Sequence, residues 1–559
     1  MGKLNNRLTQ IVNALRYVGR GDFSGLLKRL DWYRREHAVV KVRKRLAGDG
    51  GSTWGILCTP HTEFIANAIS ARLAAHGMGS EVIIGQLDRF DHAFYIVLCP
   101  QMFKSLPPAD KRVVFQLEQH VSSRWFTPEY FRILRESLGV LDYSLSNIAF
   151  LAQHKVKYPT VHYLPIGAVT GGATGMDTAK KYDFVFYGDS LSSERRRAFL
   201  KQLQSRYSVK ICNEVFGEEM YEIIRSARAV INIHYYEGAL LEMPRISECI
   251  SLGVPILSES SRDRHDYPEL AGAVRFFEEG SIEAMMSAAQ AMLDDIDTVN
   301  ATIGGVVAAS ASRFNFMFDR FLGALGMLPA NVVLETPIYL REKSSFLALS
   351  LPETVERRQA ITEALPEGCV IFDGIRNSLG WVGCGSSFTA LSRYALDNGM
   401  KRLIVIEDDI LLPPDFGRIL GEVMAYLDTC EGNWDIFSGV MADLHTSARV
   451  LSVDDVDGRT YVTIDKMMSN VFNIYSERAL KRLSAWNPMD TDASTNTVDR
   501  YMERQDDLKV VVALPFIAGH REDVASTLWG IDNDRYAPMI AEAENKIKVL
   551  AEKWRAANR

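Results

Sequence analysis

The stretch RLIVIEDDILLPPDF, Arg402–Phe416, decides the fold of the C-terminal part of the chain. Residues 403–406 form an apolar run that is typical of a buried strand. Three carboxylates follow at once, Glu407, Asp408 and Asp409. Adjacent acids repel one another and are costly to bury unpaired, whereas Mg²⁺ and Mn²⁺ prefer carboxylate oxygens and bridge to phosphates. The stretch therefore predicts the metal and diphosphate end of a nucleotide-sugar site, with a solvated acidic strand end as the alternative.

Two further motifs stand upstream of the acidic run. An apolar run at 346–351 leads to Arg357 and Arg358, and the segment GCGSS, residues 383–387, opens a helical pattern. In this order, the region from roughly 346 to 529 resembles glycosyltransferase family 25, the lipopolysaccharide-type transferases with a GT-A fold. The family usually has a histidine after the serine of this segment, whereas here Phe388 follows Ser387.

The resemblance implies functional roles in this region. The implied ligands of a divalent cation, Mn²⁺ or Mg²⁺, are Glu407, Asp408, Asp409 and His520. The implied nucleotide-sugar contacts are Arg357, Arg358 and Ser387. Asp499, near a predicted helix start, is the implied acceptor-side base. The two arginines are successive helix residues that face different ways, so only one is expected to reach the site, and a solvated loop is the alternative for His520.

The N-terminal part alternates short apolar runs with helical patterns. Strands are predicted at 54–58, 80–85, 93–99, 112–118 and 161–167. A linker rich in Gly, Ala and Thr follows at 167–181, and a second alternation covers 183–293. Two such Rossmann-like halves make a GT-B architecture, with the ligand in the cleft between them. The predicted fold class is α/β, a GT-B unit followed by a GT-A nucleotide-sugar transferase domain.

The segment 231–259 of the second half carries its own motif. It contains an acid-rich loop, an Arg-x-x-Glu helix start and a strand that ends in Ser-Glu. This pattern resembles the C-terminal half of GT-B glycosyltransferases related to family 1 and the CgeB-like proteins. Many retaining GT-B enzymes have Glu-x7-Glu ending at this helix, but here Leu240 stands at the first position.

Nucleotide-sugar contacts are predicted at two places in this half. Arg245 and Glu248 share one helix face, where Arg245 would hold the diphosphate and Glu248 the ribose, and a surface ion pair is the alternative. The helix N-terminus offers free N–H groups to phosphates. The loop Gly188, Asp189 and Ser190 is predicted to bring backbone N–H groups to the same phosphates.

The acceptor side is predicted in loops that follow strands of the first half, since ligands bind at the carboxyl ends of parallel strands. The candidate catalytic residues there are His61, Glu63, Glu118 and His120. A histidine or carboxylate at this edge could deprotonate an acceptor hydroxyl. A capping or packing role is the alternative for His61.

The length of the chain and the distribution of its charge limit the possible domain organisation. The predicted divisions of the 559 residues are a basic amphipathic helical arm (1–48), two GT-B halves (49–170 and 171–332), a GT-A domain (333–540) and a C-terminal helix (541–559). Net charge is −7, yet residues 1–50 hold 12 Lys or Arg against 4 Asp or Glu. Such an arm could bind an anionic membrane surface, pack on its own domain or build a dimer. The acidic body argues against nucleic acid.

The scattered cysteines, the absence of an apolar run near 18 residues and the N-terminus without a signal-peptide core favour a cytosolic protein, which the basic arm could attach to the inner membrane face. The leading hypothesis is a bifunctional glycosyltransferase that moves sugars from nucleotide-sugar donors onto a glycan or lipid-linked glycan, such as lipopolysaccharide or capsule. No cofactor is expected in the GT-B module. The alternatives are one active GT-A module with a degenerate GT-B partner, or a non-enzymatic carbohydrate-binding scaffold.

Overall fold

The computed structural model describes residues 53–121, 124–171, 179–467, 469–524, 526–527, 533 and 536–558. The predicted arm at 1–48 and most of the predicted linker, residues 172–178, lie outside the described residues. The chain forms two compact units, and it passes from the first to the second between Phe321 and Leu322. The domain bounds predicted from the sequence stay predictions.

The N-terminal half of the first unit is a six-stranded, fully parallel sheet with the order β2-β1-β3-β4-β5-β6. Its elements are β1 (Trp54–Cys58), α1 (Glu63–Ala75), β2 (Ser80–Ile84), β3 (Phe94–Leu98), β4 (Arg112–Gln116), α2 (Pro128–Glu136), β5 (Gly139–Asp142), α3 (Leu145–Gln153) and β6 (Val161–Tyr163). The central strands are buried along their whole length, which explains their continuous apolar runs.

The C-terminal half of the first unit is a second parallel sheet, with the order β11-β10-β9-β7-β8. Its elements are β7 (Tyr182–Tyr187), α4 (Glu194–Gln204), β8 (Val209–Cys212), α5 (Gly217–Arg225), β9 (Ala227–Asn232), α6 (Met243–Ser251), β10 (Ile256–Glu259), β11 (Val274–Phe277), α7 (Ile282–Asp294) and α8 (Ile296–Ala324). The two predicted Rossmann-like halves are thereby confirmed.

Both sheets change winding direction at one place. In the first half the chain turns back between β1 and β3, and in the second half between β7 and β9. Open parallel sheets bind ligands outside the carboxyl ends of the strands at such a switch point. The loops after β1, β7 and β9 are therefore where a ligand is expected.

The second unit is built on an eight-stranded mixed sheet with the order β13-β12-β14-β19-β16-β20-β18-β17, and a small antiparallel pair, β15-β21, stands beside it. Its strands are β12 (Phe346–Ser350), β13 (Val370–Asp373), β14 (Arg402–Glu407), β15 (Ile410–Leu411), β16 (Ile436–Ser438), β17 (Val450–Val456), β18 (Arg459–Ile464), β19 (Phe472–Ser476), β20 (Val510–Leu514) and β21 (Gly519–His520). Its helices are α9 (Ala330–Val333), α10 (Val355–Glu363), α11 (Gly380–Asp397), α12 (Phe416–Thr429), α13 (Glu477–Ser484), α14 (Ala493–Asn496), α15 (Val498–Glu503) and α16 (Tyr536–Ala557).

Strand β14, the acidic strand of the sequence motif, lies inside this sheet between β12 and β19. Apolar residues of β12, β14 and β19 pack with α12 in one buried cluster, which fixes the strand end that carries the acids. An α/β unit is confirmed, whereas its assignment to GT-A stays a prediction. Among the described helices, none has the length and apolar character needed to cross a membrane.

Candidate functional sites

The switch point of the C-terminal half brings Gly188 and Arg245 together. Gly188 follows β7 with φ +120°, a conformation that side chains other than glycine rarely adopt. A Cβ atom on this residue would lie 2.9 Å from Nη2 of Arg245, which comes from the first turn of α6. The backbone of the loop and the guanidinium therefore share one small space at the carboxyl edge of the sheet.

Arg245 belongs to a buried cluster of two arginines and one acid. Its Nη1 lies 2.7 Å from Oε2 of Glu242, and Nη2 of Arg196 lies 2.9 Å from Oε1 of the same carboxylate. Burial raises the pKa of Glu242, but the charges of Arg245 and Arg196 outweigh it and hold the pKa below its ordinary value. Two guanidinium groups against one carboxylate leave the cluster with one net positive charge.

One donor of Arg245 is left over. Its buried Nε–H has no hydrogen-bond partner among the described residues, although Nη1 also donates to Asn232 Oδ1. A buried donor without a partner costs about 1–3 kcal/mol, so such groups are rare in native structures. The cluster is thus positively charged and holds an unused donor, while Nη2 of the same guanidinium faces Gly188.

Glu248 lies one turn further along α6 and faces two tyrosines. Its Oε2 accepts a 2.8 Å hydrogen bond from Tyr187 at the end of β7. Burial raises the pKa of Glu248, while hydrogen bonds from Tyr187 and Tyr221 and the charge of Arg245 oppose that rise. Glu63 of the N-terminal half also raises this pKa through its charge, so the structure brings the predicted residues Glu63 and Glu248 near each other.

The side chains of Asp189 and Ser190 form hydrogen bonds that hold the loop after β7 in place. Asp189 accepts from the backbone N–H of Leu191 and Ser192 at 3.0 and 2.9 Å, and these bonds hold its pKa low. Ser190 bonds through N–H and hydroxyl to Asn213 Oδ1, both at 3.0 Å. Their contribution to nucleotide binding, which the sequence predicts, stays a prediction.

The acceptor-side candidates of the N-terminal half lie after β1 and β4. His61 contacts Thr59 Oγ1 at 3.0 Å through Nδ1, and burial lowers the pKa of His61. Glu63 is the first residue of α1. Glu118 accepts from Gln101 at 2.7 Å.

His120, the last of these candidates, lies between Asn147 and Arg262. Arg262 comes from the loop after β10 and lines a cavity of about 590 Å³ at the ends of β10 and β11. This cavity is also lined by Arg264, Glu278 and Glu279, so its wall carries both signs of charge.

In the second unit, Asp408 is held by protein groups. Arg357 Nε donates to its Oδ1 at 2.8 Å, a second guanidinium nitrogen bonds the same oxygen, and Ser350 donates to Oδ2 at 2.8 Å. Arg358, next on the helix, turns away and lies 2.9 Å from Asp373. The expectation that the two arginines face different ways is confirmed, and their predicted contact with a nucleotide sugar stays a prediction.

Asp409 lies beside Arg357 and His520. Its Oδ2 is 2.9 Å from Arg357 Nη2 and 3.3 Å from His520 Nε2. The pairing of Ile410 with His520 in the β15–β21 ribbon brings these distant parts of the sequence together. The other oxygen, Oδ1, is buried and has no hydrogen-bond partner among the described residues.

Glu407, Cys384 and Asp499 lie on the other side of the acidic run. Cys384 Sγ is 3.9 Å from Glu407 Oε1. Burial raises the pKa of Glu407, and the charges of Asp409, Asp408 and Asp499 add to this effect. Although burial acts in the opposite direction, Arg357 and His520 hold the pKa of Asp409 low. No set of three His, Cys, Asp or Glu side chains within the described ranges has an arrangement suited to a metal ion.

The GCGSS segment packs tightly. Added Cβ atoms at Gly383 and Gly385 would lie 2.7 Å from Ile375 O and 2.4 Å from the Trp486 ring. The Ser387 hydroxyl is buried, donates to Gly383 O at 2.9 Å and accepts from Ile375 N–H at 2.8 Å. These contacts explain the small residues of the motif, and the predicted nucleotide contact of Ser387 stays a prediction.

Several residues of these sites were not singled out from the sequence. They are Arg196, Tyr187, Tyr221, Asn147, Arg262 and Ser350. Arg196 lies in an ERRR run that reads as a solvated helix start, and only the fold shows that it points into the cluster. Tyr187 and Ser350 are the last residues of β7 and β12, the first strands of their sheets. Because ligands bind at the carboxyl ends of strands, this position could have identified both residues from the sequence.

No protein-family model matches the chain. Over 140 residues, 24% of this chain, it is 31% identical to the uncharacterized protein L140 of Acanthamoeba polyphaga mimivirus, of which it spans 45% of the length. Sucrose-phosphate synthase from Thermosynechococcus elongatus is similar in structure, with 11% identity, a TM-score of 0.34 and coverage of 48% of this chain and 98% of that one. Anabaena HepE in complex with UDP has 10% identity, a TM-score of 0.34 and coverage of 50% and 100%. Scores of this size describe a weak likeness.

Proposed function

We propose that the chain is a glycosyltransferase with two nucleotide-sugar units, a GT-B unit followed by a GT-A unit. The observation that carries the proposal is the guanidinium of Arg245, which faces Gly188 through Nη2 at a topological switch point and has a buried Nε–H without a hydrogen-bond partner among the described residues. A positive cluster with a free donor at this edge of a parallel sheet suits a diphosphate. The N-terminus of α6 adds its dipole in the same place.

Transfer in the first unit would need no metal. Arg245 and Arg196 would stabilise the charge that develops on the leaving diphosphate, as preorganised cationic groups do in other transferases. Glu248 would accept from the ribose once the two tyrosine hydroxyls release it. A histidine or carboxylate among His61, Glu63, Glu118 and His120 would deprotonate the acceptor hydroxyl.

Transfer in the second unit would be assisted by Mn²⁺ or Mg²⁺. Asp408 has its oxygens committed to Arg357 and Ser350, so Asp409 is the better carboxylate ligand, and its unpartnered Oδ1 fits a cation. The described residues hold no set of three such ligands, so His520 or Glu407 would have to move towards Asp409, with phosphate oxygens of the donor completing the ligand set. The cation would supply charge neutralisation on the diphosphate. Asp499 would act as the acceptor-side base.

The acceptor is proposed to be a cell-surface glycan or its lipid-linked precursor. The basic composition of residues 1–48 supports attachment to an anionic membrane surface, where such acceptors are found. Deleting residues 1–48 should release the protein from anionic vesicles at low salt without changing transfer to a soluble acceptor. Vesicle binding that is weak and insensitive to salt, with a lower melting temperature after deletion, would favour packing of the arm instead.

The decisive experiment measures release of the nucleoside diphosphate from a panel of nucleotide sugars. Wild type is compared with Arg245→Ala, Asp409→Ala and the double variant. Two activities, each lost with one variant, would support two active units. One activity lost only with Asp409→Ala would favour a degenerate GT-B unit, an alternative that the missing Glu-x7-Glu supports. If wild type and every variant bind nucleotide sugar and none of them releases the nucleoside diphosphate, the non-enzymatic carbohydrate-binding scaffold is favoured.

A further inference from the structure

The His120 ring lies between two groups that fix its hydrogen positions. Nδ1 is 2.9 Å from Oδ1 of Asn147, and Nε2 is 2.7 Å from a guanidinium nitrogen of Arg262. An arginine side chain carries donors only, so Nε2 must accept through its lone pair. The ring proton of the neutral histidine is therefore on Nδ1.

The orientation of the Asn147 amide leads independently to the same tautomer. Its Nδ2 donates to Glu118 O at 2.8 Å and to Asp142 Oδ1 at 3.2 Å. Its Oδ1 therefore faces His120, where it also accepts from the backbone N–H at 3.0 Å. Because an amide oxygen only accepts, Nδ1 must carry a hydrogen.

Asp142 anchors this arrangement at the end of β5. It is fully buried and accepts from the Ser144 N–H at 2.9 Å and from Gln116 Nε2 at 2.8 Å, besides Asn147. The contacts run from a strand end, through one amide, to the ring of His120. Such a second layer of hydrogen bonds sets which ring nitrogen of a histidine is free to react.

We propose that Asn147 and Asp142 are positioning residues that hold His120 as the Nδ1–H tautomer, so that Nε2 is the proton acceptor of the first unit. The inference rests on the proposed transfer in that unit. In the step, the acceptor O–H bond breaks and its proton goes to Nε2. The oxygen forms the new bond to the anomeric carbon, and the bond from that carbon to the diphosphate breaks, with its electron pair leaving on the diphosphate. Asn147 Oδ1 stabilises the imidazolium that results.

Arg262 completes the arrangement from the other half of the unit. It donates to the same Nε2 and lies 3.3 Å from Ser146 Oγ. A substrate hydroxyl must take its place at Nε2 before proton transfer. Arg262 also lines the cavity at the ends of β10 and β11, into which the displaced guanidinium could move.

The tautomer can be measured in the full chain without any substrate. The protein has 11 histidines, so ring-¹⁵N-histidine labelling is practical, and the His120 signals are those lost in His120→Gln. We expect a protonated Nδ1 and an unprotonated Nε2 at neutral pH. Arg262→Met should keep that tautomer because Asn147 still fixes Nδ1, and Asn147→Leu should keep it because Arg262 still donates to Nε2. The double variant Asn147→Leu/Arg262→Met should lose it. A wild-type ring with its proton on Nε2 would overturn the inference without any variant.

Kinetics separates this inference from the proposed function. Asn147→Leu should lower kcat of the first unit by at least about tenfold, part of the 10²–10⁴-fold that general base catalysis supplies, with KM changed less than about threefold. Gln153→Ala, at an exposed position of the same helix, is the control. Normal kcat in the Asn147→Leu protein would refute the inference alone. If wild type shows no transfer that depends on Arg245, the proposed function has failed instead.

Discussion

Gly188 and Arg245 approach each other so closely that a Cβ atom on residue 188 would lie 2.9 Å from Nη2 of Arg245. The two residues are 57 positions apart and come from different strand-to-helix connections of one sheet. Close backbone approach at a phosphate site is a common reason for glycine at such a position. The contact therefore suggests that the loop and the guanidinium act on one ligand.

Gly188→Ala should weaken nucleotide-sugar binding by the first unit, because the added methyl group must displace the guanidinium. Gly217→Ala is the matched control. Gly217 also has positive φ, +64°, but a Cβ atom there would meet nothing within 4 Å. Gly217→Ala should lose about 1–2 kcal/mol of stability, the cost of the left-handed helical conformation, and Gly188→Ala should lose more because its φ of +120° lies outside that region. Only Gly188→Ala should lose affinity in calorimetry. Equal affinities in the two variants would show that the close contact has no part in binding.

Arg245→Ala should reduce affinity for the nucleotide sugar by about 1.5–3 kcal/mol, the range for a hydrogen bond to a charged group. Arg245→Lys should recover only part of it, since lysine lacks the planar fork. Arg206→Ala, at an exposed arginine of the same half, should bind like wild type in the same titration. Undiminished affinity of Arg245→Ala would exclude a diphosphate at this cluster.

Asp409→Asn should remove Mn²⁺ binding and transfer by the second unit, while Arg245-dependent binding in the first unit remains. The reason is that Asp409 Oδ1 is a buried carboxylate oxygen of the acidic run that has no hydrogen-bond partner among the described residues. Asp415→Asn, at a half-exposed ion pair near the surface, serves as the control for loss of one charge. A Mn²⁺ titration measures the loss of metal binding, and release of the nucleoside diphosphate from the donor measures the loss of transfer. Full activity of the second unit in excess EDTA would contradict the assignment.

Asp408→Asn should act mainly on stability. Asp408 is 5% exposed and bonds twice to Arg357 and once to Ser350, so its neutralisation leaves a buried guanidinium poorly paired. Breaking a buried ion pair typically costs 3–5 kcal/mol, and the remaining Asp409 contact should keep the loss near about 3 kcal/mol. Chemical denaturation of both aspartate variants tests this, because Asp409→Asn should be the less destabilised of the two.

The sequence predicted strands well where apolar runs were long, and less well where they were short or followed one another without a clear break. The runs around β1, β7 and β14 predicted these strands within one or two residues. Strand β5, with four residues, and β11 were missed, as was the 29-residue helix α8, whose apolar and polar residues form no simple stripe. Local patterns identify an element, but they do not reveal partners that come from elsewhere in the chain.

In the candidate sites too, residues within local motifs were predicted from the sequence, whereas partners from distant parts of the chain were not. Asp409 was predicted from a strand end followed by acids, and Arg245 from an Arg-x-x-Glu pattern at a helix start. Ser350 and Arg262 were not, since each reaches its partner over more than 50 residues. His520 was predicted from a resemblance, and the β15–β21 pairing is what brings it to Asp409.

The pH dependence of stability offers a test of the Asp142 anchor. Burial raises the pKa of Asp142 to about 7, although hydrogen bonds from Ser144, Gln116 and Asn147 oppose the rise. An unfolded aspartate releases its proton near pH 4, so between about pH 4 and 7 the folded state holds one proton more than the unfolded state. The stability contributed by this group is present below pH 4 and is lost as pH rises towards 7.

Asn at position 142 cannot titrate. The melting temperature of Asp142→Asn minus that of wild type should therefore rise as the pH increases from 5 to about 7, and it should stay constant at higher pH. Asp88→Asn, at an exposed aspartate of the same half, should melt in parallel with wild type at every pH. Differential scanning fluorimetry of wild type, Asp142→Asn and Asp88→Asn from pH 5 to 8 measures these melting temperatures. A constant offset between Asp142→Asn and wild type from pH 5 to 8 would mean that Asp142 is ionised throughout the range in the folded protein.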